Sequence, residues 1–255
     1  MQTHIIDTRN GKIEATTFGH GPWVMLLPSL GRGVEDFYDL AEILATQGFS
    51  VCLPNPRGIG KSTGPLENIT LDDLADDVVN VINQLSCDKA WIAGHAFGNW
   101  IARNIATRHS SRVFGIALIA AAHKNFPVAL REQIDICMNA KSTQEQRLKA
   151  LRCAFFASGN DPTCWLTGWY PDIAKAQRIA AKASPQINWW SAGTTKILDL
   201  QATQDPFAPE STSHELQLEL GLDRVEVVRV TNASHALIPE QPTAVAHALV
   251  KFFTN

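Results

Sequence analysis

Long apolar runs are missing from this chain: 45% of its 255 residues are hydrophobic, yet no stretch approaches the ~18–20 residues that a bilayer-spanning helix needs. The opening segment, Met1-Gln2-Thr3-His4-Ile5-Ile6-Asp7, has no apolar core of the kind a secretory leader carries. Positive charge is not in excess, since 22 basic residues face 25 acidic ones for a net charge of −3. Without a basic stripe or an aromatic–basic repeat, nucleic acid is not an expected partner. The five cysteines (52, 87, 137, 153 and 164) are odd in number, widely spaced and free of any Cys-x-x-Cys or Cys/His metal pattern. They predict buried free thiols in a reducing compartment. No motif implies a metal or an organic cofactor. Internal repeats and low-complexity tracts are absent too. These absences predict a soluble, cytoplasmic protein that works without a membrane; a small-molecule substrate and a monomeric or homodimeric state are further expectations, which no absence supplies. The length suits one large domain, with or without an insertion.

What is present is alternation. Residues 4–8 and 12–18 read as strands joined across Arg9-Asn10-Gly11, because Asn-Gly tolerates positive φ at both centres of a tight hairpin. Trp23-Val24-Met25-Leu26-Leu27 is an unbroken apolar run, suited to a strand buried on both faces of a parallel sheet. The loop Pro28-Ser29-Leu30-Gly31-Arg32-Gly33 leads into a helix over 35–48, and 49–54 forms the next strand. Thr70 is the expected N-cap of a helix over 70–85, with Asp72 and Asp73 at its positive end. A strand at 90–93, a helix ending near 109 and a strand over 113–121 follow. Between 125 and 193 the rhythm stops and the signals are helical, with Ser142-x-x-Glu145 as a capping box and a further helix over 172–183. Four of the seven tryptophans (165, 169, 189 and 190) fall there, which reads as an apolar lid. Strand 196–202, helix 210–219, strand 224–230 and helix 240–253 resume the alternation. The expected fold is α/β: a mostly parallel central sheet flanked by helices, with residues 1–124 and 194–255 as the core and 125–193 as an inserted helical lid. Ligands of such sheets sit beyond the carboxyl ends of the strands.

One of those ends carries Gly94-His95-Ala96-Phe97-Gly98 between a strand and a helix. Gly-x-Ser-x-Gly in that context is a nucleophile elbow, a strained turn that presents its central residue at the tip. Here alanine stands where the serine would be. Taken alone, the pattern also fits an ordinary tight strand-to-helix turn. Asp205 follows the 196–202 strand in Gln204-Asp205-Pro206, and His235 follows the 224–230 strand in Ser234-His235-Ala236. Singly, Asp205 reads equally as a turn cap before proline, and His235 as a residue at a helix start.

Jointly, the order elbow, acid, histidine resembles the α/β-hydrolase family, and the likeness covers essentially the whole chain. Gly58-x-Gly60-x-Ser62 after the fourth strand, and Asp205 four residues before Pro209, add two more landmarks. The resemblance implies His235 as general base and then acid, with Asp205 holding its tautomer. It implies the backbone N–H groups of Leu30 and Phe97 as oxyanion donors. Pro28-Ser29 departs from the His-Gly often found in that loop. Ser29 and Ser234 lie in neighbouring loops but not on the strained turn, and the elbow aspartate of dehalogenases and epoxide hydrolases is absent. His123, Trp165, Trp169 and Trp189 are expected to line the substrate pocket, although the tryptophans fit equally as anchors between lid and body.

Alanine at position 96 cannot form an acyl-enzyme, and three readings follow. The chain is a serine hydrolase inactivated at one atom; or it acts through a water activated by His235; or it binds a ligand without turning it over. The first two predict a hydrolase of a small carboxylic ester, lactone or related acyl compound. The alternative is a non-hydrolytic binding protein, or a cofactor-free lyase or oxygenase, on the same scaffold.

Overall fold

The computed structural model describes residues 1–125 and 127–255. The chain opens with a hairpin of β1 (Gln2–Thr8) and β2 (Gly11–Phe18). It continues as β3 (Trp23–Leu27), α1 (Tyr38–Thr46), β4 (Ser50–Pro54), α2 (Leu71–Gln84), β5 (Ala90–His95), α3 (Gly98–Arg108) and β6 (Val113–Ile119). Three helices precede the next strand: α4 (Arg131–Met138), α5 (Gln144–Ala154) and α6 (Pro171–Ala183). β7 (Ile197–Ala202), α7 (Glu215–Leu220), β8 (Val225–Val230), α8 (Leu237–Glu240) and α9 (Pro242–Thr254) complete the order. Phe126, within the expected lid range, lies outside the described residues.

The strands form one eight-stranded sheet in the order β1-β2-β4-β3-β5-β6-β7-β8. β1 and β2 pair antiparallel, as do β2 and β4; all other neighbours are parallel. The apolar runs explain the middle of the sheet: every residue of β4 and β7 is buried, as is β3 beyond Trp23. Helices α2 and α3 pack their apolar faces on one side of the sheet, and α1 and α9 on the other. A third cluster joins Ile134, Leu151, Phe155 and Trp165 of the insertion to Phe207 and Ala236. These last two belong to the loops that carry the candidate acid and histidine.

Local signals were displaced in several places. The hairpin closes at Thr8 and Gly11, so its turn is Arg9-Asn10, and neither residue has positive φ. Gly11 serves a different need: a Cβ there would lie 2.3 Å from the carbonyl oxygen of Thr63. Thr70 caps α2 in a reciprocal capping box with Asp73. The box on α5 is Thr143 with Gln146, one residue beyond the expected Ser142 and Glu145. Residues 34–37 form a separate 3-10 turn before α1, and another at Glu210–Thr212 precedes α7. Cys52, Cys87 and Cys137 are buried, but Cys153 and Cys164 are exposed, against the expectation of burial. No helix among the described residues is long and apolar enough to cross a membrane.

Candidate active site

The turn after β5 owes its shape to two glycines. A Cβ on Gly94 would lie 2.2 Å from the carbonyl oxygen of Gly98, and one on Gly98 would lie 2.3 Å from that of Leu27. Between them Ala96 takes φ +46°, a left-handed value that a residue with a side chain holds only when its surroundings enforce it. They do so here. The Ala96 N–H donates to the carbonyl of Ile119 on β6 at 2.9 Å, and the Asn99 side-chain amide donates to the Ala96 carbonyl. Arg103 Nε in turn donates to Asn99 Oδ1 at 3.0 Å. The elbow is therefore braced by both the neighbouring strand and the first turns of α3.

Asp205 and His235 arrive from the ends of β7 and β8. His235 Nδ1 donates to Asp205 Oδ2 at 2.9 Å, with side-chain exposures of only 7% and 1%. Asp205 Oδ1 accepts the Phe207 N–H at 2.8 Å, so the turn-capping role and the histidine contact use different oxygens. With Nδ1–H engaged by a carboxylate, Nε2 is the ring nitrogen left with a lone pair. Phe207 lies against the imidazole, ring centres 4.2 Å apart, and Phe155 at 5.8 Å. The loop is fixed from behind by the Glu240 carboxylate, which accepts from the N–H groups of Ser234 and Ala157 and from the Asn160 amide at 2.6–2.7 Å.

His95 lies underneath, fully buried. Its Nε2 lies 2.7 Å from the His235 carbonyl oxygen, which only accepts, so Nε2 carries the proton and Nδ1 is left without a partner. Burial, reinforced by the positive charge of a protonated His235, pushes the His95 pKa down to about 3. It is a neutral strut.

The loop after β3 is held by α6 and the residue before it. Gly31 takes φ +61°, and a Cβ there would lie 2.8 Å from that of Ala174 on α6. Its N–H donates to Gln177 Oε1 at 2.8 Å, and its carbonyl accepts the Tyr170 N–H at 2.9 Å. Buried Arg32 pairs with Asp36, donates to the Thr167 carbonyl at 2.7 Å and lies 4.6 and 4.7 Å from the ring centres of Trp165 and Trp169. The N–H groups of Leu30 and Phe97 have no hydrogen-bond partner among the described residues.

A cavity of about 480 Å³ is lined by Leu30, Ala96, Phe97, Phe155, Trp169 and His235, among others. That size and mostly apolar wall suit a small organic ligand. Three of the four expected pocket residues lie elsewhere. Trp165 is buried beneath Trp169, and Trp189 stands behind Trp100, which itself faces the cavity. His123 lines a separate small polar pocket with Arg103 and Asp199. Trp169 does reach the wall. Ser29 lines the cavity as well, whereas the Ser234 hydroxyl donates to the Gln204 carbonyl at 3.0 Å. Sequence reasoning missed Phe155, Phe207, Asn99 and Glu240; only Asn99, directly after the elbow, gave a positional signal. Among the described residues no cluster of histidine, cysteine and carboxylate could hold a metal.

A mostly parallel sheet with a strained strand-to-helix elbow and a buried carboxylate–imidazole pair at its carboxyl edge defines the class of α/β hydrolases. The match of residues 22–152 to the family model for the alpha/beta hydrolase fold agrees, and the chain belongs to that family. Along its length it is similar to the AB hydrolase superfamily protein YisY of Bacillus subtilis, 26% identical and covering 93% of both chains. Its fold is similar to an esterase from Thermogutta terrifontis (TM-score 0.80, 20% identity, covering 100% of this chain and 98% of that one). It is also similar to an enol-lactonase from Burkholderia xenovorans LB400 (TM-score 0.81, 20% identity, covering 99% and 100%).

Proposed function

We propose that this protein hydrolyses a small carboxylic ester, lactone or related acyl compound, using water activated by His235 in place of a side-chain nucleophile. The observation that carries the reading is His235, held at 2.9 Å by buried Asp205, on the wall of a cavity that Ala96, Leu30 and Phe97 also line. Ala96 offers no oxygen, so attack comes from water. His235 Nε2 takes a proton as the water oxygen bonds to the carbonyl carbon. The resulting imidazolium is stabilised by Asp205, and the N–H groups of Leu30 and Phe97 receive the oxyanion. Collapse breaks the carbon–oxygen bond to the leaving group, which takes the proton back from His235. An oxyanion hole and binding alone leave ~10³–10⁴-fold over water when a triad is incomplete, so the native rate is expected to be modest. Residues 125–193 serve as the lid, contributing Trp169 to the wall. The five free thiols suit a cytoplasmic location, and we expect a monomer or homodimer.

A binding protein that turns nothing over is the second reading, favoured by the methyl group of Ala96 itself. Short aryl esters and lactones assayed with the native chain, Ala96→Ser and His235→Ala separate the two. Hydrolysis is expected to be weak, to vanish in His235→Ala and to rise at least a hundredfold in Ala96→Ser. Background rates in all three proteins, with ligands that still raise the melting temperature, would establish the binder.

A further inference from the structure

The described wall of the cavity holds three permanent cations and no carboxylate: Arg131, Arg178 and Lys182 line it, in a chain whose net charge is −3. All three come from the insertion. Arg178 and Lys182 lie one turn apart on α6, hence on one face. Arg178 pairs with Asp135 at 2.8 Å. The side chains of Arg131 and Lys182 have no ionic or hydrogen-bonding partner among the described residues. Both are exposed while lining the cavity, which puts them where it opens to solvent.

Helix stability does not account for Arg131. It is the first residue of α4, where the positive end of the helix disfavours a cation. Mostly apolar groups, including Trp100 and Phe155, line the rest of the cavity around Ala96 and His235. A ligand bound there meets a mostly apolar reaction chamber and a cationic mouth. Such a mouth draws anions in from solution, and a guanidinium matches a carboxylate with two parallel hydrogen bonds.

We propose that the substrate is an acyl compound bearing a free carboxylate, which Arg131 and Lys182 hold at the mouth while the scissile carbonyl lies beside Ala96. The placement of that carbonyl rests on the hydrolytic reading above; the charge preference does not. Binding to the unsubstituted 255-residue chain tests it by calorimetry at low ionic strength, comparing monomethyl glutarate with its neutral diester, dimethyl glutarate. Two exposed ion pairs give a preference on the order of tenfold. The monoester is expected to bind about tenfold more tightly, and added salt is expected to erode the difference. Arg131→Gln with Lys182→Gln is expected to abolish the preference. Lys61→Gln with Lys149→Gln makes the same charge change at exposed positions off the cavity wall and is expected to preserve it. Equal or tighter binding of the diester, no measurable binding of the monoester, or a preference that survives the first double variant would overturn the proposal. Hydrolysis is scored separately in Ala96→Ser. Anion preference without turnover sinks the hydrolytic reading alone, and turnover without anion preference sinks this one alone.

Discussion

Gly98→Ala sets two effects against each other, and the structure says which wins. Gly98 is the first residue of α3 and has no positive φ, so helix propensity alone favours alanine by up to about 1 kcal/mol. The new methyl, however, would stand 2.3 Å from the Leu27 carbonyl oxygen and 2.8 Å from that of Pro28, where ordinary contact begins at 3.4 Å. Both opposing groups are backbone, one at the end of a buried central strand, so no rotamer change relieves the clash. The start of α3 must retreat by about 1 Å. Overpacking of this kind costs about 1–3 kcal/mol, and with rigid neighbours the upper end applies. A net loss of about 2 kcal/mol lowers the melting temperature by roughly 4–8 °C at this chain length. The retreat also separates the Phe97 N–H from that of Leu30, and a 1 Å misplacement costs on the order of a hundredfold in rate. The assays are thermal unfolding of Gly98→Ala, and ester turnover of Gly98→Ala in the Ala96→Ser background. A melting temperature at or above that of the native chain would refute the reasoning, because propensity would then have outweighed the contact.

In the Ala96→Ser background, Asp205→Asn is expected to lower turnover about 10³–10⁴-fold while leaving the circular dichroism spectrum unchanged, since the imidazole loses its tautomer partner; a loss under tenfold contradicts the assigned role. Arg32→Gln leaves the half-buried Asp36 without its cation, and about 3 kcal/mol of stability should disappear in denaturant titration; a loss under 1 kcal/mol means that the pair is solvated. Burial pushes the Asp199 carboxyl up to about 6 against its hydrogen bond from Gln201 and the pull of Arg103. A raised acid supports folding when protonated, so this contribution is full below about pH 4 and is lost as pH climbs through about 6. Asp199→Asn should therefore flatten the fall in stability between about pH 4 and 7, and parallel curves for the two proteins would show that the carboxyl is not the source. Glu240→Ala removes the acceptor of two backbone N–H groups, Ser234 in the histidine loop and Ala157 after α5, and is expected to cost about 2–3 kcal/mol, measured the same way; a neutral effect would mean that water replaces the carboxylate.

The strands were legible because burial on two faces demands unbroken apolar runs such as Trp23–Leu27. The elbow was legible because backbone crowding demands glycine at positions 94 and 98. Such constraints are local and survive in one dimension. Gly11 misled for a related reason: glycine answers both positive φ and close approach, and only the position of Thr63 shows which. Ser142 and Thr143 each begin an acceptable capping pattern, so composition could not choose between them. The tryptophans were equally ambiguous. Trp165, Trp169 and Trp189 look alike in the sequence, and only Trp169 reaches the cavity. Helical spacing pairs Arg178 with Lys182, but Arg131 lies on another helix whose meeting with theirs is decided by tertiary packing, and no spacing rule could have added it. Glu240 belongs to the same class, since its partners come from segments up to 83 residues away.

The ties from Gln177 and Tyr170 to Gly31 make the insertion and the loop bearing Leu30 a single mechanical unit. Transplanting the three helices between β6 and β7 from a relative into this scaffold is therefore expected to shift the Leu30 backbone, proposed above as an oxyanion donor, together with the cavity wall.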